Sequence, residues 1–184
     1  MKKIILIVAA ALVSLSASAQ KFAHVYFNEL VMLMPAADSA RAQIAASQQE
    51  AQDTYKSMTD EFQVKYQQYQ QKSSTWTPAI RESKEKELQD IQTRIQDFDQ
   101  SIQQELQQQQ QQLMAPIQQR AVAAVEKLAK EGGYIYVFEK ASMLYVDETQ
   151  SVDLTPAARK ALNIPDGRTL ETLQQELQAQ AQKQ

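Results

Sequence analysis

The chain has 184 residues, 43% of them hydrophobic and 22% charged, with 3 glycines and 5 prolines, so turns are scarce and long uninterrupted helices are the first expectation. Aromatics make up 7%, which argues against a large aromatic core. With no cysteine and a single histidine, thiol nucleophiles, disulfides and multi-histidine metal sites are excluded, and with them most familiar enzyme classes.

The N-terminus carries an export signal. Met1-Lys2-Lys3 is a short basic region, Ile4 to Val13 an apolar run, and Ala17-Ser18-Ala19 a small-x-small cleavage site. The run is shorter than the roughly 20 apolar residues that span a bilayer. Cleavage after Ala19 is expected, leaving a mature, exported, soluble chain that begins at Gln20. No cysteine stands at the cleavage site to take a lipid. Removing Lys2 and Lys3 from the 19 basic residues leaves 17 against 22 acidic, a net of −5, which disfavours nucleic acid and acidic membranes as general partners. An exported chain without disulfides needs another staple, and oligomerisation is the expected one.

After the signal, FAHVYF (Phe22 to Phe27) is aromatic and β-branched and predicts a strand. Asn28 is expected to cap a short helical turn up to Met34. From Pro35 to Lys130 there is no glycine, and Ala, Gln, Glu, Lys and Leu dominate, so this stretch predicts helix with one break. The break is Ser73 to Pro78, where hydroxyl side chains compete for backbone bonds and Thr77-Pro78 makes an N-cap followed by proline. Gly132-Gly133 ends the second helix. Tyr134 to Phe138 and Met143 to Val146 read as strands, and Thr155-Pro156 opens a short helix ending near Leu162. In the tail, 165–184, TLETLQQELQAQAQ reads either as an amphipathic helix with Leu170, Leu173 and Leu177 on one face or as a frayed terminus.

The two long helices share one pattern. Apolar residues fall at Ala51, Tyr55, Met58 and Phe62 in the first and at Ile91, Ile95, Phe98 and Ile102 in the second, with the three-and-four spacing of a coiled-coil seam. Folding back at Trp76 and Thr77 pairs residues whose numbers add to about 153: Ala51 with Ile102, Tyr55 with Phe98, Met58 with Ile95, Phe62 with Ile91. About 40 residues per helix reach roughly 60 Å. Pro35 and Pro116 fall at one height on this hairpin, and an interior proline removes a helical hydrogen bond, so Pro116 is the expected hinge at the arm's root. The fold expected is thus mainly α with a small β body: residues 20–34 and 117–164 form the body, and 35–116 a long antiparallel coiled-coil hairpin arm with its tip near 73–78. Val25, Phe27, Tyr136, Phe138, Leu144 and Val146 supply the apolar strand faces of a body too small to stand alone, so they are the candidate oligomerisation surface.

Other polar residues read blandly. His24 has no second imidazole to form a site with, and the carboxylates of the arm belong to a solvated helical face. Asp147, Glu148 and Asp153 lack the spacing and glycine of a calcium loop. The six glutamines from Gln107 to Gln112 supply uncharged wet surface within a helical register. Trp76, expected to be exposed at the tip beside Lys72, Arg81, Lys84 and Lys86, is a candidate contact for clients or membrane, although glutamates nearby cancel most of that charge.

With AHVYFNELVMLMP (Ala23 to Pro35), the hairpin, LMAPI (Leu113 to Ile117) and GYIYVFEKASMLYVDETQSVDLT (Gly133 to Thr155), the chain resembles the Skp or OmpH-like family of periplasmic chaperones of Gram-negative bacteria. The resemblance runs from about Ala23 to Ile164. It implies a jellyfish-like homotrimer whose strands form the body and whose arms enclose a cavity. Unfolded outer-membrane proteins are held there without ATP, and no catalytic residue or cofactor is implied. The best-known members are basic, whereas this mature chain is acidic. A coiled-coil spacer or scaffold of the envelope is the alternative from the structural class.

Overall fold

The computed structural model describes residues 20–182, so the expected signal segment and its cleavage after Ala19 lie outside the described residues. In chain order the elements are β1 (Lys21–Val25), α1 (Phe27–Leu33), α2 (Pro35–Lys72), a 3-10 turn (Ser73–Thr75), α3 (Pro78–Gly132), β2 (Tyr134–Glu139), a second 3-10 turn (Lys140–Ser142), β3 (Ser151–Asp153), α4 (Thr155–Ala161) and α5 (Leu170–Ala181). They fall into two compact units. One holds residues 35–118 and is called the arm unit; the other holds the described residues up to 34 and from 119 onward and is called the body unit.

In the body unit, β1 is central and pairs in parallel with β2 on one side and β3 on the other. Parallel neighbours need long crossovers, which here are made by the helices between the strands. Packing against the sheet and between helices builds the core from Ala23, Val25, Leu30, Val31, Leu33, Met34, Leu154, Ala158, Leu162, Ile164 and Leu173. Leu173 lies on α5, so the tail is a helix rather than a frayed end; Thr169 and Thr172 close its N-terminus with reciprocal hydrogen bonds. An ion pair from Arg159 to Glu29 at 3.1 Å ties α4 to α1.

Three expectations in this unit need correction. The first strand stops at Val25, and Phe27 opens α1 instead of extending the strand. Asn28 is therefore already inside the helix. The Phe27 amide is capped from afar, donating to Glu139 Oε2 at 2.6 Å, while the Tyr26 amide donates to Thr155 Oγ1 at 3.1 Å. Met143 to Val146, an apolar run, is not a strand; the third strand is Ser151–Asp153, which the Leu154 amide continues by donating to the His24 carbonyl at 2.9 Å. Leu144 and Val146 therefore contribute to no strand face.

The hairpin residues behave as their spacing predicts at the turn. Thr77 precedes the first helical residue, Pro78, and its hydroxyl accepts from the Ile80 amide at 3.4 Å. Across the connection the Arg81 guanidinium donates at 3.1 Å to the carbonyl of Ser73, the first residue of the 3-10 turn that follows α2. At its other end α3 stops where Gly133 takes a φ of 68°, and Tyr134 packs so close to Gly132 that a Cβ there would stand 2.1 Å from the ring.

Candidate functional site: the helical arm and the open face of the sheet

Within the arm unit α2 and α3 are joined by polar clasps that flank the apolar seam. Lys65 donates to Glu87, Arg94 reaches Glu61 at 3.1 Å, Tyr69 donates to Glu85, and Gln109 donates to Ser47 at 2.8 Å. Glu87 also takes Lys84 at 2.7 Å. The two lysines hold its carboxyl well below the ordinary range, at about 2, mainly through the hydrogen bond from Lys65 and then that from Lys84. The Lys65 ammonium is raised by the same bond, and the Tyr69 phenol is raised by its bond to Glu85.

The seam itself is thin. Of the eight positions singled out by spacing, Ile91 alone is fully buried; Ala51, Met58, Phe62, Ile95, Phe98 and Ile102 are half-buried, and Tyr55 is exposed. Phe62 stacks on Tyr66 at 5.9 Å between ring centroids. Around Ala51 the helices leave a groove of about 480 Å³ floored by Ala51, Phe98, Ile102 and Leu106 and rimmed by Glu50 and Gln109. Tyr55 shares a neighbouring groove with Phe98 and Ile102. Val64 at 54% exposed, Ile80 at 46% and Tyr66 at 45% add apolar surface that spacing had not singled out as exposed. Trp76 is half-buried, with its ring edge-on to Tyr69 at 5.8 Å, because the extended residue after the 3-10 turn folds the indole back onto α2. It is not the fully exposed tip residue expected.

In the body unit the two faces of the sheet differ. Val25 and Val137 face a cleft of about 470 Å³ whose other wall is Val122, Val125 and Ala129 of α3, so Val25, 3% exposed, belongs to this unit's own interior. Phe27 and Glu139 stand at its mouth. On the opposite face Phe22 stacks flat on Tyr136 at 6.4 Å, and Tyr136 tilts against Phe138 at 5.8 Å. Tyr136 and Phe138 remain 58% and 45% exposed. His24 lies on this face too, but is buried, with Nδ1 2.8 Å from Ser151 Oγ. Sequence reasoning missed Phe22; its place beside Tyr136 follows from strand pairing, which local pattern does not encode.

The loop after β2 engages its acids locally. Asp147 accepts from the Thr149 hydroxyl at 2.6 Å and from the Thr149 amide at 2.9 Å, and the hydroxyl bond first, then the amide bond, lowers its carboxyl below the usual value. Glu148 pairs with Lys140 at 2.7 Å and is lowered mainly by that bond, and Asp153 accepts from the Thr155 amide at 2.8 Å. Among the described residues no group of three or more His, Cys, Asp or Glu is placed to hold a metal ion, and no helix is long and apolar enough to cross a membrane.

The arrangement offers dispersed apolar contacts on wet helices and an uncovered aromatic sheet face. Comparison with curated proteins returns no match. The family model described as outer membrane protein (OmpH-like) matches residues 21–162, covering β1 through α4 and both long helices. That span is most of the chain, and it takes in the sheet, the hairpin and the open aromatic face together. The chain belongs to the OmpH-like family, which is periplasmic and generally associated with chaperoning outer-membrane proteins.

Proposed function

We propose that the protein is an ATP-independent holdase of the Gram-negative periplasm, exported with cleavage after Ala19. It binds unfolded outer-membrane proteins between the arms of a homotrimer and keeps them from aggregating. The observation that carries this reading is the arm surface. Tyr55, Val64, Tyr66 and Ile80 are exposed apolar side chains scattered over a long polar hairpin. Each offers a weak contact to an unfolded chain, and many weak contacts hold many sequences without selecting one. An unfolded β-barrel precursor exposes alternating apolar residues and open strand edges, which aggregate unless kept apart. Release needs no nucleotide where a folding partner binds the client better.

Self-association rests on the aromatic face formed by Phe22, Tyr136 and Phe138, since Val25 is already covered within the chain. Trp76 and its basic neighbours remain the candidate site of transient membrane contact at the tips. The envelope-spacer reading calls for a continuous stiff seam, and the groove at Ala51 disfavours it. The test is dilution of a urea-unfolded outer-membrane β-barrel into nucleotide-free buffer with and without the mature protein. Light scattering is expected to fall, and native mass spectrometry to show one client per trimer. Unchanged scattering at a molar excess of trimer defeats the holdase reading.

A further inference from the structure

Charge is spread unevenly along the arm unit. Toward the tip its acids are matched by bases, with Lys65 and Lys84 on Glu87 and Arg94 on Glu61. Between residues 42 and 55 of α2 and between 98 and 118 of α3 there is no lysine or arginine, and Glu50, Asp53, Asp99 and Glu105 all fall there. These four exposed carboxylates account for most of the net charge of −5 that is left when Lys2 and Lys3 are removed. The bordering cations leave them alone: Arg41 pairs with Asp38, Arg94 with Glu61 at 3.1 Å, and Lys56 is offset in number by Asp97.

The same stretch is where the seam opens. Ala51 fills little space, so Phe98, Ile102 and Leu106 stay half-buried and border two grooves that differ in their rims. The groove of about 480 Å³ has Glu50 and Glu105 beside this floor; the other, of about 520 Å³, has Tyr55 and Asp99. Apolar side chains left wet beside carboxylates without counter-cations are complementary to one chemistry, an apolar group with a positive charge next to it. Acidic chains meet repulsion at the rim, and uncharged polar ones gain nothing from the floor.

We propose that this part of the arm takes extended client segments in which lysine or arginine stands beside apolar residues. In an extended chain, side chains on one face recur about every 6.8 Å, so an apolar group enters a groove while the next positions reach its rim. A lysine or arginine there lays its methylene stem along the apolar wall and brings its head to Glu50 or Glu105 in one groove, or to Asp99 in the other. With no base of the protein's own in this stretch, the carboxylate fields add instead of cancelling. The proposal rests on the holdase reading above and adds to it which segments of a client are gripped, and where along the arm. Toward the tip, where charges pair among themselves, no such selection is exerted.

The test uses three fluorescent peptides of about ten residues, extended to roughly 33 Å, in which leucine alternates with lysine, leucine with glutamate, or serine with lysine. Each is titrated by anisotropy against the mature protein and against Glu50→Gln/Asp99→Asn/Glu105→Gln. A control, Asp60→Asn/Glu82→Gln/Asp90→Asn, removes the same charge from exposed sites nearer the tip. On the wild type the leucine-lysine peptide is expected to bind tightest, and its advantage to fade as salt shortens the screening length. An exposed ion pair is worth about 1.5- to 5-fold in affinity, so the groove variant is expected to bind that peptide about tenfold more weakly and the control to stay within about twofold of wild type. Equal binding of the leucine-lysine and leucine-glutamate peptides overturns the selection, as does a serine-lysine peptide that binds as well as leucine-lysine, an equal loss in both variants, or no binding of any peptide. The holdase reading is judged apart from these, by suppression of client light scattering: scattering suppressed without peptide preference leaves it standing, and unsuppressed scattering defeats it whatever the peptides do.

Discussion

Glu139 joins distant parts of the body unit through one carboxylate, capping α1 at Phe27 and bracing the turn at Ala141. Losing a cap of this kind costs about 0.5–2 kcal/mol, so Glu139→Ala is expected to lower the thermal midpoint while arm helicity stays intact. Retention of the wild-type midpoint by circular dichroism would show that water replaces the carboxylate without cost. Glu87 plays the corresponding part in the arm. Its folded value of about 2 lies below the ordinary 4.5, so the stabilisation it gives is complete above pH 4.5 and fades as pH falls toward 2. Hydrogen exchange of arm amides near Lys65 is expected to quicken over that acid window, beyond the intrinsic pH trend, and Glu87→Gln to abolish the excess. An identical acid limb in the variant removes Glu87 from the account.

At the scale of elements, the seam is uneven and its residues should differ in cost. Ile91 is 2% exposed, and truncating a buried Ile costs about 2–5 kcal/mol; Tyr55 is 42% exposed and should cost under about 1. Ile91→Ala is therefore expected to collapse exchange protection over the adjoining turns of α2 and α3, and Tyr55→Ala to leave it nearly unchanged. Equal losses would mean that burial along the seam does not rank its contributions. The same contrast explains what the sequence reveals. Helix boundaries at Thr77-Pro78 and Gly132-Gly133 depend on residues next to them in the chain and are legible. The cap of α1 is not, because its acceptor is 112 residues away. β3 escapes pattern reading for a related reason. Ser151-Val152-Asp153 has no apolar signature and becomes a strand by lying beside β1, whereas Met143 to Val146 has the signature and no neighbour in its own chain to pair with. The candidate surface divides the same way: Tyr136 and Phe138 stand out by composition, but which face they share with Phe22 is settled only by register.

For the whole molecule, the question is how a holdase would accommodate clients of different size, and Pro116 bears on it. The proline lies within α3, close to the limit of the arm unit, and the helix runs through it without interruption. Proline has no amide hydrogen, so the carbonyl one turn earlier, at Gln112, lacks its helical donor, and bending there breaks nothing that is formed. We propose Pro116 as the point about which the arm flexes, with the body unit left to hold the copies together. Pro116→Ala restores the hydrogen bond and removes a ring that crowds the preceding turn, and is expected to stabilise α3 locally without altering the oligomer mass. Spin labels at Thr75 in each copy then report tip separation. The wild type should give a broad distribution and Pro116→Ala a narrower one, with protection against aggregation falling more for large clients than for small. Equally narrow distributions in the two proteins would reduce the proline to a fixed corner, and the accommodation of clients would then have to come from the thin seam around Ala51, where the groove leaves Phe98 and Ile102 half-buried and the hydrogen bond from Gln109 to Ser47 crosses between the helices.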